Sequence, residues 1–287
     1  MKYPIGIQTF DKIIDGGYVY VDKTDLIYQL VQGNIYFLGR PRRFGKSLLV
    51  STLEQYFRGN KKLFKGLAID KLETEWKQYP VFHIDFSTGN YLNDGVLEDV
   101  LSDNLTEWET QYEVAKTSND LGLRFQKVLR AAHEKTGLGA VVLIDEYDKP
   151  ILDVIGLDYQ VEHLGKMIRL EEKHRNIMKS FYTTFKGADA DLRFVFLTGV
   201  TKFSQISMFS GFNQPADISL SRNYEALCGI TKDELVKYFA EPIAEIAQIY
   251  HCTEEEMLQK LKMKYDGYHF SEKMVDVFNP FSLLNAF

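Results

Sequence analysis

The sequence contains few cysteines and no long apolar segment, and both absences exclude whole classes of protein. Only two cysteines occur, Cys228 and Cys252, which are too few and too far apart for a disulfide framework or a zinc site. No apolar stretch approaches the roughly 18 residues that a membrane-spanning helix needs. The first residues, MKYPIGIQTFDK, lack the basic and then apolar pattern of a secretion signal. These absences predict a soluble, cytoplasmic protein with no membrane partner.

Positive charge is also in the minority. The chain has 34 Lys and Arg against 40 Asp and Glu, a formal net charge of −6, which argues against a generally basic, nucleic-acid-coating surface. Binding to nucleic acid would need a local basic groove. The 287 residues are 45% hydrophobic, enough to bury a substantial core. We therefore expect one large domain, or a main domain with a smaller appendage.

Four apolar runs have the composition of buried strands. Each is short, bounded by polar, Gly or Pro residues, and rich in β-branched or aromatic side chains. The runs are 35–38, 81–86, 140–144 and 193–197. Apolar stripes of helical period lie between them, at 48–57, 96–112 and 164–185. This alternation predicts an α/β fold with a mainly parallel sheet covered by helices on both faces.

The chain changes character at about residue 224. No further strand run occurs, and two capping boxes follow, Thr231 with Glu234 and Thr253 with Glu256. Each box precedes a helical pattern, which predicts a small group of helices after the α/β core.

Two domains are therefore expected, a core over residues 1–223 and a helical, lid-like subdomain over residues 224–287. The chain ends on NPFSLLNAF, an apolar segment without a polar closing stretch. This ending predicts a partner domain that is missing from the chain.

Residues 35–50, IYFLGRPRRFGKSLLV, describe an apolar strand, a basic turn and an apolar helix, which is the arrangement of a phosphate-binding loop. The backbone N–H groups of such a turn point at phosphate oxygens, and the positive end of the following helix faces the same anion. Lys46 is predicted to reach the β- and γ-phosphates of ATP, and the Ser47 hydroxyl to ligate Mg²⁺. The residues predicted to contact the nucleotide are Arg42, Arg43, Phe44, Gly45, Lys46, Ser47 and Leu48.

One residue of the loop departs from the usual spacing G-x-x-x-x-G-K-[ST]. The position of the first glycine is held by Arg40, and Gly39 lies one residue earlier. Two explanations remain open: the loop begins one residue sooner, or Arg40 adopts a permitted conformation while Pro41 stiffens the turn.

Two adjacent acids follow the apolar run 140–144. Asp145 and Glu146 stand at the tip of a predicted buried strand, where carboxylates are costly unless a cation or a reaction requires them. In phosphate-loop ATPases the first acid holds the Mg²⁺ shell and the second orients or deprotonates the attacking water. Asp145 is thus a predicted metal residue, and Glu146 is the predicted general base.

The run 193–204, RFVFLTGVTKFS, supplies a third element. A polar residue at the end of a neighbouring strand commonly senses the γ-phosphate, so Thr198 is predicted to be catalytic, with Thr201 as second choice. The sequence does not choose among the candidate charge-stabilising fingers, which are Arg193, Lys202 and Arg222.

Several segments together resemble the bacterial AAA-ATPase-like family of P-loop proteins along nearly the whole chain. The segments are YVYVDKTDLIYQL (18–30), GRPRRFGKSLL (39–49), VVLIDEYDKPI (141–151), FLTGVTKFSQISMFSGFN (196–213), YEALCGITKDEL (224–235), KYDGYHF (264–270) and FNPFSLLNAF (278–287). The arginine in place of the first loop glycine is itself typical of that group. The resemblance implies a P-loop NTPase core of the additional-strand class with a helical lid. A nuclease-like domain of the PD-(D/E)xK type usually follows in such proteins, and this sequence ends where that domain would begin.

The leading functional hypothesis is a Mg²⁺-dependent ATPase whose nucleotide state moves the lid and is read by a C-terminal effector. The alternative is a nucleotide-gated switch or scaffold with little or no turnover. A small-molecule kinase is disfavoured because its lid usually carries arginines, which residues 224–287 lack, and a GTPase because no N-K-x-D motif occurs. Direct nucleic-acid binding through Arg40, Arg42 and Arg43 has little support, since these residues adjoin the phosphate site.

Overall fold

The computed structural model describes residues 2–201, 215–265, 267–273 and 275–287. Its helices are α1 (Phe10–Asp15), α2 (Thr24–Leu30), α3 (Lys46–Phe57), α4 (Val96–Gln111), α5 (Leu121–Thr136), α6 (Lys149–Leu152), α7 (Leu170–Gly187), α8 (Lys232–Ile249), α9 (Glu254–Tyr265) and α10 (Pro280–Leu284). Its strands are β1 (Ile35–Gly39), β2 (Val81–Asp85), β3 (Ala140–Asp145), β4 (Gln160–His163), β5 (Lys166–Arg169), β6 (Leu192–Gly199), β7 (Ala216–Asp217), β8 (Ile230–Thr231) and β9 (Val277–Phe278). Among the described helices, none combines the length and the apolar character needed to cross a bilayer.

The chain forms two compact units, which we name by their main features. The loop unit consists of Met1–Gly33, Arg40–Trp76 and Asp217–Phe287, and the sheet unit of Asn34–Gly39 and Lys77–Ala216. The loop unit thus combines N-terminal and C-terminal parts of the chain. None of the bounds of these units falls between residues 223 and 224. The domain boundary expected there stays a prediction.

The main sheet has five strands in the order β2-β3-β6-β1-β7. β6 pairs in parallel with β1 on one side and with β3 on the other, and β3 pairs in parallel with β2. β6 is therefore an additional strand between the strand that precedes the basic loop and the strand that ends in the acids. The predicted α/β fold with a mainly parallel sheet is confirmed.

The four predicted strand runs correspond to β1, β2, β3 and β6, with small shifts at the ends. β3 is buried at all six positions, as its unbroken run of apolar and β-branched residues predicts. Because successive side chains of a strand point to opposite faces, this pattern means that both faces of the sheet are covered.

Aromatic side chains join three helices of the sheet unit. Phe125 of α5 stacks on Trp108 of α4, with ring centroids 5.5 Å apart, and on Phe181 of α7, with centroids 5.1 Å apart. Stacked aromatic pairs contribute about 0.5–1.5 kcal/mol beyond the area that they bury. The three rings continue the apolar cluster of the sheet residues, which includes Phe82 and Val142.

The helical stripe predicted to begin at Leu164 is partly wrong. Leu164, Met167 and Ile168 belong to the antiparallel hairpin of β4 and β5, and α7 begins only at Leu170. Leu164 and Gly165 form the turn with φ of 52° and 75°, which reverses the chain. Leu164 is 89% exposed, so its place in an apolar stripe of the sequence does not reflect burial.

The C-terminal part of the loop unit is mainly helical, as predicted. Both capping boxes are confirmed: Thr231 exchanges hydrogen bonds with Glu234 at the start of α8, and Thr253 with Glu256 at the start of α9. The sequence did not indicate the short antiparallel pair β8–β9, whose two-residue strands are too brief to produce a pattern.

A buried ion pair connects α4 and α5 in the sheet unit. The Arg124 guanidinium donates to both carboxylate oxygens of Glu109, at 2.7 and 2.8 Å, and the two side chains are only 2% and 7% exposed. Ser102 and Thr106 accept further hydrogen bonds from Arg124. The hydrogen bonds from Arg124 hold the pKa of Glu109 below its ordinary value.

Replacing Glu109 with Gln should lower the free energy of unfolding by about 3 kcal/mol, because Arg124 stays buried without its countercharge. Urea denaturation measures the loss, and Glu113→Gln, which breaks the exposed pair with Lys135, should change it by less than about 0.5 kcal/mol. Because the pKa of Glu109 is lowered on folding, the stabilisation is complete above the unfolded value of about 4.3 and declines as pH falls through the folded value. A difference between wild type and variant that stays constant at acid pH would contradict this account.

Candidate functional site

The basic loop between β1 and α3 turns through two left-handed positions. Arg43 has φ of 66° and Gly45 has φ of 90°, whereas Arg40 is not among the residues with positive φ. Glycine adopts the left-handed conformation without the steric cost of a Cβ. The loop therefore needs its special conformations at positions 43 and 45, and position 40 does not require the glycine of the usual motif.

The start of α3 presents hydrogen-bond donors. Within the described part of the chain, no side chain caps this helix, so the first-turn amides keep their donors for an external acceptor. The Lys46 side chain is buried, and its ammonium donates to the carbonyl oxygens of Arg40 and Pro41, at 3.1 and 3.2 Å. Ser47 is partly exposed. Amides, an ammonium and a hydroxyl are thus gathered at one helix N-terminus, which is suited to an anion.

The side chain of Phe44 packs into the interior of the loop unit. It is fully buried, and its ring makes edge-to-face contacts with Tyr268 and Phe270, at centroid distances of 4.7 and 5.4 Å. Its carbonyl accepts a hydrogen bond from the amide of Gly229, at 3.1 Å. Of the predicted nucleotide contacts, Phe44 can therefore contribute only its own backbone amide.

The two remaining loop arginines are exposed. The Arg43 guanidinium lies over the ring of Phe281, 4.1 Å from its centroid. The Arg42 carbonyl accepts a hydrogen bond from Asn279. Neither arginine side chain is buried, so both keep access to solvent and to a bound anion, and their predicted contact with a nucleotide stays a prediction.

An apolar cavity of about 100 Å³ adjoins the start of α3 within the loop unit. Gly45 and Leu48 line it from the loop side, and Val21, Leu227 and Ile230 are among its other walls. Its lining is mostly apolar, which does not suit an anion. The cavity has no signature in the sequence because its walls come from distant parts of the chain.

In the sheet unit, the two predicted acids stand at the end of β3 with different exposure. Asp145 is 3% exposed, and its Oδ1 accepts hydrogen bonds from the Thr198 hydroxyl and from the amide of Glu146. Glu146 is partly exposed and has φ of 50°. A left-handed conformation at a residue other than glycine is strained, and such strain is concentrated at functional sites.

Thr198 reaches Asp145 because β6 and β3 are neighbours in register. Ile144 pairs with Leu197, which sets the next residue of each strand side by side. Thr198 is fully buried, and its hydroxyl donates to Asp145. The structure thus gives Thr198 a role in orienting the first acid, and its predicted sensing of the γ-phosphate stays a prediction.

Sequence reasoning missed Asp148, three residues after Asp145. It is 1% exposed, and its Oδ2 accepts hydrogen bonds from the amides of Val200 and Thr201 and from the Thr201 hydroxyl, at 2.7–2.9 Å. Gly199 lies against this carboxylate, since a Cβ there would come within 2.8 Å of it. The signal available in the sequence was a third acid in IDEYDKP directly before a Lys-Pro helix start.

Replacing Asp148 with Ala should lower the free energy of unfolding by about 2 kcal/mol, because two partly buried backbone N–H groups lose their acceptor. Asp148→Asn should cost clearly less, since its amide oxygen can accept the same bonds. Chemical denaturation measures both, with exposed Asp189→Ala as the control. Equal losses for Asp148→Ala and Asp148→Asn would show that hydrogen bonding is not the reason for this buried carboxylate.

The candidate charge-stabilising residues fall in different places. Arg193 is the second residue of β6, so six residues of strand geometry put it roughly 15–20 Å from the end that carries Thr198. Arg222, in the loop unit, pairs with Glu272. Lys202 lies outside the described residues. Arg193 is therefore a poor candidate, because it stands at the opposite end of the strand.

Comparison with known proteins supplies a family. The family model AAA-ATPase_like, described as "Predicted AAA-ATPase", matches residues 4–209. A curated protein of Azotobacter chroococcum mcd 1, described as "Uncharacterized protein in vnfD 5'region", is 38% identical over 288 residues. The alignment covers 100% of this chain and 52% of that protein, so the chain spans about half the length of this relative. No solved structure matches the chain.

Proposed function

Because this chain belongs to the AAA-ATPase-like family, we propose that it binds ATP with Mg²⁺ and hydrolyses it. The observation that carries the proposal is the geometry of residues 40–47. Two left-handed positions lead into an uncapped helix start, beside the buried ammonium of Lys46. A polyphosphate is the ligand that such a set of donors recognises.

The phosphates are assigned to the loop and the first turn of α3. Lys46 has three N–H donors, of which two are used on the carbonyls of Arg40 and Pro41. A phosphate oxygen is a stronger acceptor than a neutral carbonyl, since both partners are then charged. We therefore expect Lys46 to turn at least one donor toward the β- and γ-phosphates.

The base is assigned to the apolar cavity beside Gly45 and Leu48. The cavity adjoins the helix start that would hold the phosphates, but its volume of about 100 Å³ is below the roughly 150 Å³ that holds benzene in a protein core, so a purine would have to widen it. Its apolar walls stabilise a purine by burial of its faces, roughly 25 cal/mol per Å² of apolar area removed from water. This assignment uses only residues of the loop unit.

For magnesium, the loop unit offers the Ser47 hydroxyl and the sheet unit offers the Asp145 carboxylate, and each supplies an oxygen ligand of the kind that this ion prefers. The hydrogen bonds that described residues make to Asp145 end on Oδ1, which leaves Oδ2 for an ion or its water shell. Bound Mg²⁺ would neutralise charge on the β- and γ-phosphate oxygens.

Glu146 is assigned as the general base. It is partly exposed and can accept a proton from water, whereas Asp145 is buried and already accepts two hydrogen bonds. The left-handed backbone at Glu146 ends the extended course of β3, whose last residue is Asp145. Two adjacent acids thus have separate tasks because their surroundings differ.

The alternative is a nucleotide-gated switch with little turnover. The ATPase proposal also includes coupling of the nucleotide state to a lid formed by residues 224–287. It further includes coupling to a C-terminal effector, such as a nuclease-like domain. The length of the curated relative, about twice that of this chain, leaves room for such an effector. Steady-state phosphate release decides between the two, since a melting shift by ATP without release favours the switch.

Replacing Lys46 with Ala should abolish the rise in melting temperature that ATP and Mg²⁺ produce. Ligand at about 100 times its Kd stabilises by about 2.7 kcal/mol, which is readily measured by differential scanning fluorimetry. Exposed Lys12→Ala is the matched control and should keep the full shift. An undiminished shift in Lys46→Ala would remove the loop from the nucleotide site.

Replacing Glu146 with Gln should preserve the melting shift and reduce phosphate release by at least about 100-fold, as expected for loss of a general base. Exposed Glu134→Gln should release phosphate at the wild-type rate. Turnover of Glu146→Gln equal to that of wild type would show that another residue activates the water.

A further inference from the structure

Arg40 stands in the loop where the usual motif has glycine, yet its side chain does not face solvent. It is 1% exposed and is among the largest fully buried side chains of the described chain. Burial lowers its pKa, although the residue keeps its charge at neutral pH. A buried guanidinium at the first position of a phosphate-binding loop requires a reason other than contact with an exposed ligand.

The guanidinium binds the segment that follows β7. It donates to the carbonyl oxygens of Ser219, at 2.5 Å, and Tyr224, at 3.2 Å. Charge-assisted hydrogen bonds of this kind are roughly twice as strong as neutral ones. Arg40 thus fixes two backbone positions that are about 180 residues distant in the sequence.

The same guanidinium lies over the ring of Phe270, 3.9 Å from the centroid. A buried cation over an aromatic face is stabilised by about 2 kcal/mol, more than at the surface. Phe270 also contacts Phe44 from the other end of the loop. Phe270 is therefore held by two residues of the loop, one on each side of Pro41–Arg43.

Gly229 gives the loop another connection to the C-terminal part of the loop unit. Its amide donates to the Phe44 carbonyl, and it has φ of 90°. A Cβ at this position would come within 2.2 Å of Val277. The backbone can approach this closely only with glycine, so the contact between the loop and residue 229 tolerates no side chain.

Lys46 connects Arg40 to the phosphate site. Its ammonium donates to the Arg40 carbonyl, so one residue offers its main chain to the phosphate-binding lysine and its side chain to Ser219 and Tyr224. A phosphate that draws the Lys46 ammonium away from this carbonyl would remove a hydrogen bond from the main chain of Arg40.

We propose that Arg40 is a positioning residue. Through its contacts with Ser219, Tyr224 and Phe270 it holds the phosphate-binding loop in shape, and it transmits the effect of phosphate binding to residues 219–229 and 270. The inference rests on the proposed binding of ATP and adds its regulation. It also removes Arg40 from the residues available to nucleic acid, since its donors are directed to backbone carbonyls inside the loop unit.

The test is Arg40→Lys, which keeps the charge and loses the planar fork that reaches two carbonyls and stacks on Phe270. We expect the KM for ATP to rise about tenfold with kcat within about twofold, because loop shape affects ground and transition states alike. In wild type, ATP should slow amide hydrogen exchange in peptides that contain Tyr224 and Gly229, and Arg40→Lys should lose that slowing. Exposed Arg58→Lys, at the end of α3, is the matched control.

The outcomes separate this inference from the proposed function. Should Arg40→Lys fail to fold, Phe270→Leu, which leaves Arg40 in place and removes the ring beneath it, is expected to raise KM about threefold. Wild-type KM in these variants, or ATP binding without slower exchange near Gly229, would overturn the role of Arg40 and leave the ATPase proposal intact. Absence of ATP binding by wild type would overturn both.

Discussion

The parallel pairing of β6 with both β1 and β3 is the constraint on which the sheet unit depends. Because β6 is inserted between these strands, its end carries Thr198 beside Asp145, and its continuation lies against Asp148. The pairing also explains why β3 is buried at all positions, since it has a neighbour on each side and covered faces. Without that register, the buried carboxylates would lose their donors, and each would cost several kcal/mol to bury.

The two carboxylates show how acidic side chains are buried at the carboxyl end of the central strands. Asp145 takes one hydroxyl and one amide, whereas Asp148 takes two amides and one hydroxyl. These hydrogen bonds compensate for the burial of the carboxylates and hold the strand ends in one arrangement. Gly199 completes that arrangement because no larger residue fits against Tyr147 and Asp148. Glu146, the more exposed acid, has a left-handed backbone whose amide donates to Asp145 and whose carbonyl accepts from the Lys149 amide.

How much the sequence predicted depended on whether a signal was local. The strands could be predicted because short runs of Val, Ile and Phe favour a strand locally. The capping boxes could be predicted because their partners, such as Thr231 and Glu234, bind each other within one turn. The stripe at 164–185 failed because period alone does not distinguish an exposed hairpin from a helix, and Leu164 is neither helical nor buried. The roles of Arg40 and Asp148 were out of reach, since their partners, Ser219 and Thr201, are separated from them by long stretches of chain. The same holds for the cavity beside Gly45, whose walls are contributed by segments from both ends of the sequence.

The left-handed positions at Arg43 and Gly45 have a bearing on how ATP-binding chains are recognised in genomes. A sequence pattern that requires glycine at the first residue of the loop would not match this chain, in which the left-handed positions are residues 43 and 45. A search by backbone torsion angles that specifies only the sign of φ at each loop position would find this chain. In this loop, the left-handed backbone at two positions defines the turn, and the residue that opens the loop does not have to be glycine.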